Sequence, residues 1–446
     1  MNLRLIILEA LLLIEKEDLP AGKVIKQVLD KYGYLDRQDR SFLKRVLEGT
    51  TERRIELDYI IDARSRVGTA KMKPVIRQIM RMSVYQLKYM DSVPSSAVCN
   101  EAVKLAGKKG MTGLKGFVNG VLRTIARDID NIGYPDADTP CGMSVKYSCP
   151  EWLVRLLIEE QGTEKALAVL DSSLKKRDLC IRINLSKTDK DTLKKILETE
   201  NVICEDIPGL PYALKLRDVD SLSRLISFAD GLFAIQDTGS MLVGEAAGIR
   251  EGDTVFDVCA APGGKSMHVL DKLKGMGRLY AFDISEGKLE RIRENADRLG
   301  FSDIEITAAD AACFKEEYAG MADVLIADLP CSGLGVMGRK NDIKYNVSPD
   351  KLDSLVRLQR DILRNVSAYI KPGGHLIFST CTIHRAENED NFNWIKDNLP
   401  FEAESLKPYI PDEFMHDTGE EGYIQLIPGI DDSDGFFISR FVKRND

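Results

Sequence analysis

The chain has 446 residues, 44% of them hydrophobic and 30% charged, and a net charge of −8. At about 150 residues per domain this length suggests two or three domains, and the apolar share excludes disorder as the dominant state. The early apolar run Leu5–Ile14 is interrupted by Glu9, ends on Glu15-Lys16-Glu17-Asp18 and is too short for a bilayer. Neither anchor nor signal peptide is expected, no membrane partner either, and the expected location is cytoplasmic.

The nine cysteines (99, 141, 149, 180, 204, 259, 313, 331 and 381) form no CxxC pair, and the four histidines (268, 375, 384 and 416) have no metal-ligand spacing. Neither a structural zinc nor a disulfide framework is expected.

Charge divides the chain. Residues 1–127 hold 24 Lys/Arg against 14 Asp/Glu, a balance of +10, and the remainder carries −18. A basic unit on an acidic chain suits a polyanion-binding appendage, although a solvated helical surface gives the same count. Helical spacing of apolar residues predicts helices over Leu5–Ile14, Val24–Leu29, Ser41–Ile55, Val75–Met90, Ala97–Ala106 and Gly116–Ile125, an all-helical bundle at 1–130. The Pro/Asp/Cys-rich stretch 131–150 reads as a linker.

Residues 151–230 read as a small α+β module: helices over Glu151–Gln161, Thr163–Leu174 and Asp189–Thr199, and strands at Leu179–Asn184, Val202–Ile207 and Ala213–Leu216, with Leu232–Ile235 just beyond. From 231 to 446 strand and helix alternate, the mark of an α/β domain with a parallel sheet. The strand Thr254–Cys259 runs into the tight loop Cys259-Ala260-Ala261-Pro262-Gly263-Gly264 and a helix opening at Lys265. Its glycines admit a close ligand, and a helix N-terminus favours an anionic group. The next strand ends in Asp283, 19 residues past Gly264, where an acidic side chain can hold ribose hydroxyls.

The loop lacks G-x-G-x-x-G and the phosphate-loop spacing, so S-adenosylmethionine, with a ribose and a carboxylate but no phosphate, fits best. Further strand ends place Asp310 for an adenine edge, then Asp328-Leu329-Pro330-Cys331-Ser332-Gly333, then Thr380-Cys381-Thr382. Helix capping by Asp explains one or two of these residues, not the set. Either Cys331 or Cys381 could be a nucleophile.

Two resemblances follow. Residues 97–106 and 116–123, with Asn119-Gly120 between apolar positions, resemble the last helices of the NusB family of RNA-binding bundles. The Cys259–Lys265 loop, Asp-Leu-Pro-Cys-Ser-Gly, Ser-Thr-Cys-Thr and Asp434-Gly435-Phe436-Phe437 resemble the RNA cytosine-C5 methyltransferases of the Sun/NOL/NOP2 family.

The resemblance implies a multi-domain chain: an all-α NusB-like bundle, a small α+β RNA-binding or connecting module, and an α/β class I (Rossmann-like) S-adenosylmethionine-dependent methyltransferase domain. It implies methylation of C5 of a cytosine in 16S ribosomal RNA, Cys381 as nucleophile toward C6 and Cys331 as helper in product release. Asp328 would hold the base and Lys265 would supply positive charge. The cofactor would be held by Cys259 to Lys265, Asp283, Asp310 and Asp328. RNA contact is expected from the bundle, the middle module and the Arg339–Lys344 segment, since residues 231–446 carry −13. A monomer is expected. A competing expectation is an antitermination or ribosome-assembly factor with an inactive methyltransferase fold, which S-adenosylmethionine binding would disfavour.

Overall fold

The computed structural model describes residues 2–17, 19–175, 177–217, 219 and 222–445. The chain forms two compact units, Met1–Lys175 with Met337–Asn346, and Lys176–Val336 with Val347–Asp446. No helix among the described residues is long and apolar enough to cross a membrane.

In the first unit, helices Leu3–Glu17, Ala21–Lys31, Arg37–Glu52, Arg54–Asp62, Pro74–Tyr89, Ser95–Lys108 and Lys115–Asp128 enclose one apolar core. Ile7, Leu8, Leu43, Leu57, Ile79, Val118 and Leu122 are fully buried in it, each on the apolar stripe of its helix. The single helix expected over Ser41–Ile55 is two helices, because Arg53 leaves helical geometry at φ −95° and ψ 19°. Asp36 starts the first of them by accepting from the Asp39 N–H at 2.8 Å.

Two expectations are corrected in this unit. The stretch 131–150 is not plain linker: it holds the helix Pro140–Tyr147, with the Thr139 side chain accepting from the Gly142 N–H and Pro140 in the first turn. A proline there opens a helix instead of breaking it. The Arg339–Lys344 segment is not a uniform RNA-facing stretch either. Lys344 is 2% exposed and donates to the Tyr147 carbonyl at 3.1 Å. Tyr345 donates to the Glu52 carbonyl at 2.7 Å, and Asp342 accepts from the Ala21 N–H at 2.7 Å. Burial pushes the Lys344 ammonium down to about 8. Arg339 and Lys340 remain exposed.

The second unit carries two sheets. The first has order β2-β3-β1-β4, from β1 (Leu179–Ile183), β2 (Ile203–Ile207), β3 (Leu210–Arg217) and β4 (Phe233–Ile235), all antiparallel. Asp189 caps its helix Lys190–Thr199. In the first unit, the stretch Glu151–Ser173 is two helices, as expected, separated at Gly162 by a φ of +77°.

The large sheet has the order β10-β12-β9-β8-β5-β6-β7, with β11 pairing β12. Its strands are β5 (Thr254–Asp257), β6 (Arg278–Asp283), β7 (Ile304–Ala308), β8 (Ala322–Asp328), β9 (Ile370–Thr380), β10 (Phe401–Ala403), β11 (Tyr423–Leu426) and β12 (Phe436–Lys443). From β9 to β7 the strands are parallel; β5, β6, β8 and the second half of β9 are largely buried, while β7 at the sheet edge is partly exposed. The expectation of a parallel sheet holds only there. β12 enters antiparallel to β9, so the sheet is mixed. Phe256, Phe378 and Phe437 fill one face, while Val255, Ile326 and Ile377 fill the other.

Candidate active site

The carboxyl ends of β5, β6, β8 and β9 bring most of the predicted residues to one rim, where open α/β sheets bind ligands. After β5 the loop folds back on its neighbours. Ala260 N–H donates to the Phe282 carbonyl at 2.8 Å and Gly263 N–H to the Ala260 carbonyl at 2.7 Å. Gly263 has a φ of +99°, and a Cβ at Gly264 would meet nothing within 4 Å, so the backbone here borders open space.

Asp283 ends β6 with its carboxylate drawn to this loop, accepting from the Ala261 N–H at 3.2 Å and lying 3.0 Å from the Lys288 ammonium. Beside it, Val258, Phe282, Ala309, Ala311 and Tyr318 line an apolar slot next to Asp310. Asp310 itself is exposed and accepts from the Ala312 N–H at 2.9 Å, a local turn contact. An apolar slot flanked by two carboxylates suits the flat base and the diol of an adenosine. These residues therefore fit S-adenosylmethionine.

Lys265 donates to Asp328 at 2.6 Å, and Asp328 also accepts from the Ser379 hydroxyl at 3.1 Å. Burial alone would lower the Lys265 ammonium, but attraction to Asp328, with Asp257 and Cys381 adding to it, raises it above the ordinary lysine range. It stays charged. Asp257, at the end of β5, was not singled out in the sequence. It is fully buried, accepts from the Ser266 hydroxyl at 2.6 Å and has its Oδ1 without a partner. Burial pushes its carboxyl up to about 6. An acidic residue closing a strand before a glycine loop was the available signal. Cys259 is half-buried, its thiol pushed well up by burial and by Asp257, Asp283 and Asp328, which makes it a poor nucleophile.

Cys331 and Cys381 meet. Their Sγ atoms lie 3.4 Å apart and both residues are half-buried. The Cys331 thiol is pushed up chiefly by its hydrogen bond to Cys381, then by burial and by the charges of Cys381, Glu387 and Asp328. Burial and the neighbouring carboxylates thus act against a thiolate at Cys331.

Backbone bonds fix this meeting. Leu329 N–H donates to the Ser379 carbonyl at 3.0 Å and Gly335 N–H to the Cys381 carbonyl at 3.2 Å. Gly435 N–H donates to the Gly335 carbonyl at 2.8 Å, and a Cβ on Gly335 would stand 2.2 Å from the Gly435 oxygen. The Asp434-Gly435-Phe436-Phe437 motif therefore braces the Cys331 loop, glycine against glycine. Phe436 also lays its ring 5.0 Å from the Lys265 ammonium. Among the described residues no cluster of three or more His, Cys, Asp or Glu side chains could hold a metal ion.

The sequence profile of the 16S rRNA methyltransferase RsmB/F family matches residues 246–442. The NusB family matches residues 1–127, and the ferredoxin-like domain of RsmF/B-like methyltransferases matches 149–221. The chain is similar to the probable ribosomal RNA small subunit methyltransferase B of Bacillus subtilis, at 34% identity over 99% of both chains. It is 30% identical to that of Synechocystis sp., covering 96% of this chain and 97% of the relative. Among solved structures, PH0851 has a TM-score of 0.83 at 24% identity over 99% of each chain. NSun6 from Pyrococcus horikoshii with SFG has a TM-score of 0.59 at 21% identity, over 67% of this chain and 99% of that one. Both structures share the fold. With profiles matching in all three regions and full-length likeness to named relatives, the chain belongs to the ribosomal RNA small subunit methyltransferase B family.

Proposed function

We propose that the protein methylates C5 of a cytosine in small-subunit ribosomal RNA through a transient bond between Cys381 and C6 of the base. The relatives named as ribosomal RNA small subunit methyltransferases support the substrate class. The observation that carries the chemistry is the 3.4 Å pairing of the two thiols beside the Lys265–Asp328 ion pair.

C5 of cytosine is a weak nucleophile, and adding a thiolate at C6 makes it enamine-like. Cys381 forms the S–C6 bond with its lone pair. The ring's π electrons move to C5, while Asp328 holds the base at N3 and its exocyclic amino group. S-adenosylmethionine, whose analogue SFG accompanies the NSun6 structure, would supply the methyl group that C5 takes up, the electron pair of the broken S–CH3 bond staying on the donor's sulfur. The C5 proton then leaves to water. The electrons of that C–H bond restore the C5=C6 double bond, and the C6–S bond breaks with its pair returning to Cys381. Cys331 supports this departure by donating its S–H to the leaving sulfur, restoring the resting pair.

Lys265 supports the anionic side of the site, since a cation near Cys381 favours thiolate over thiol. Asp283 and the loop Cys259 to Gly264 would hold the adenosine and amino-acid ends of the methyl donor, with Asp310 at the adenine edge. A stacked base hides C6, so the target cytosine is flipped out or single-stranded. Mapping 5-methylcytosine in ribosomal RNA from cells with and without the gene tests this reading. A position modified only when the protein is present supports it, and identical maps contradict it.

A further inference from the structure

The residues on both sides of each thiol are held by buried polar side chains that the catalytic motifs do not contain. Glu387 lies in the turn Arg385–Glu387 just after β9 and is 0% exposed. Its carboxylate accepts from the Ser332 N–H at 2.9 Å, the Ser332 hydroxyl at 2.5 Å and the Gln359 amide at 2.9 Å. Ser332 follows Cys331. The Ser332 hydroxyl also lies 2.7 Å from that of Thr382, which follows Cys381.

A carboxylate only accepts, so the direction of this chain is fixed. Ser332 gives its proton to Glu387 and accepts the proton of Thr382, whose oxygen accepts from the His384 N–H at 3.3 Å. On the other flanks, Gln359 donates to the Pro330 carbonyl at 2.9 Å, and Asn388 accepts from the Thr380 hydroxyl at 2.5 Å while donating to the Thr382 carbonyl at 3.0 Å. The whole network is buried, where each satisfied bond is stiff and each broken one is costly.

We propose that Glu387 is the positioning residue of the thiol pair: it locks Ser332 and, through it, Thr382, so that Cys331 and Cys381 stay in contact. The charged and titratable groups facing Cys331 are Cys381 just past β9, Asp328 from β8 with its partner Lys265, and Glu387 itself. Two of these hold negative charge against the Cys331 sulfur from opposite chain segments, and only Glu387 also holds the backbone. The consequence for turnover rests on the Cys381 reading above. The geometry and the thiol chemistry do not.

The test uses the full chain with Glu387→Gln and Ser332→Ala. Glu387→Gln keeps the side-chain shape and removes the charge. Alkylation of each cysteine by iodoacetamide, followed across pH by peptide mass spectrometry, is expected to show the Cys331 profile moving to lower pH by about one unit. S-adenosylmethionine binding should stay within about twofold while kcat for ribosomal RNA methylation falls at least about tenfold. Ser332→Ala cuts the link to Thr382 and keeps the charge, so kcat falls while the Cys331 profile stays in place. A folded Glu387→Gln protein with an unmoved Cys331 profile overturns the proposal. If Glu387→Gln does not fold, undiminished kcat in Ser332→Ala overturns it. Retained activity in Cys381→Ala together with the shifted Cys331 profile in Glu387→Gln would overturn the Cys381 reading and leave the positioning role of Glu387 standing.

Discussion

The sulfur atoms of Cys331 and Cys381 stand 3.4 Å apart although 50 residues separate them in the chain. Two thiols at this distance interact strongly enough to titrate as a pair. The neighbouring carboxylates of Asp328 and Glu387 act against charge on Cys331, while Lys265 lies toward Cys381. Distinct roles follow. Cys381→Ala should lower methyl transfer by more than about a thousandfold, as loss of a covalent nucleophile does. A single-turnover assay with labelled methyl donor measures it, and comparable activity in Cys381→Ala would remove the residue from the mechanism.

Lys265 is half of an ion pair inside the site, 2.6 Å from Asp328. In Lys265→Met the carboxylate loses its partner and the thiol pair loses its cation, so kcat should drop by about a hundredfold. The rate of Cys381 alkylation at neutral pH should fall in parallel. A variant with reduced kcat and unchanged alkylation would assign Lys265 to holding Asp328 alone.

Asp257 gives a pH signature. Its folded-state carboxyl is pushed up from 3.8 to about 6 by burial. A raised value means that the folded state binds the proton more tightly than the unfolded chain. Its contribution is therefore fully present below about pH 4 and lost as pH rises through about 6, on the order of 3 kcal/mol for the group alone. Asp257→Asn should flatten this part of the stability curve. Thermal melts at closely spaced pH values compare the two proteins, and parallel curves for wild type and variant would mean that Asp257 titrates normally.

The basic bundle offers exposed Lys104, Lys108 and Arg123 on the helices Ser95–Lys108 and Lys115–Asp128. Reversing all three to Glu should raise the KM for ribosomal RNA at least about tenfold, leave kcat within about twofold and reduce the salt dependence of binding. Charge reversal is a cleaner probe than truncation. Lys344 is buried and Tyr345 half-buried against this bundle, and both would be left bare without it. An unaltered KM would take these three positions out of the RNA contact.

Much of the site is legible in the chain because its chemistry is local. Asp283 lies a fixed step past the glycine loop, and Asp328 to Cys331 and Thr380 to Thr382 are short motifs at strand ends. Position along the strand decides where such side chains go. What holds them is not local. Glu387 meets Ser332 across 55 residues, and Gly435 meets Gly335 through a strand that inserts antiparallel. Nothing in the spacing announces either contact. Lys344 shows the opposite error: a lysine in a basic run reads as exposed until packing buries it. Asp310 reads as a ligand contact, and the fold turns one of its oxygens to its own loop.

The account turns on which sulfur bonds the base. Full-length Cys331→Ala, incubated with ribosomal RNA and methyl donor, should accumulate a protein–RNA adduct that survives a denaturing gel. Digesting that band and sequencing the modified peptide by mass spectrometry locates the bond. The nucleotide attached at Cys381 is the predicted result; attachment at another residue, or a retarded band that persists in Cys381→Ala, would contradict it.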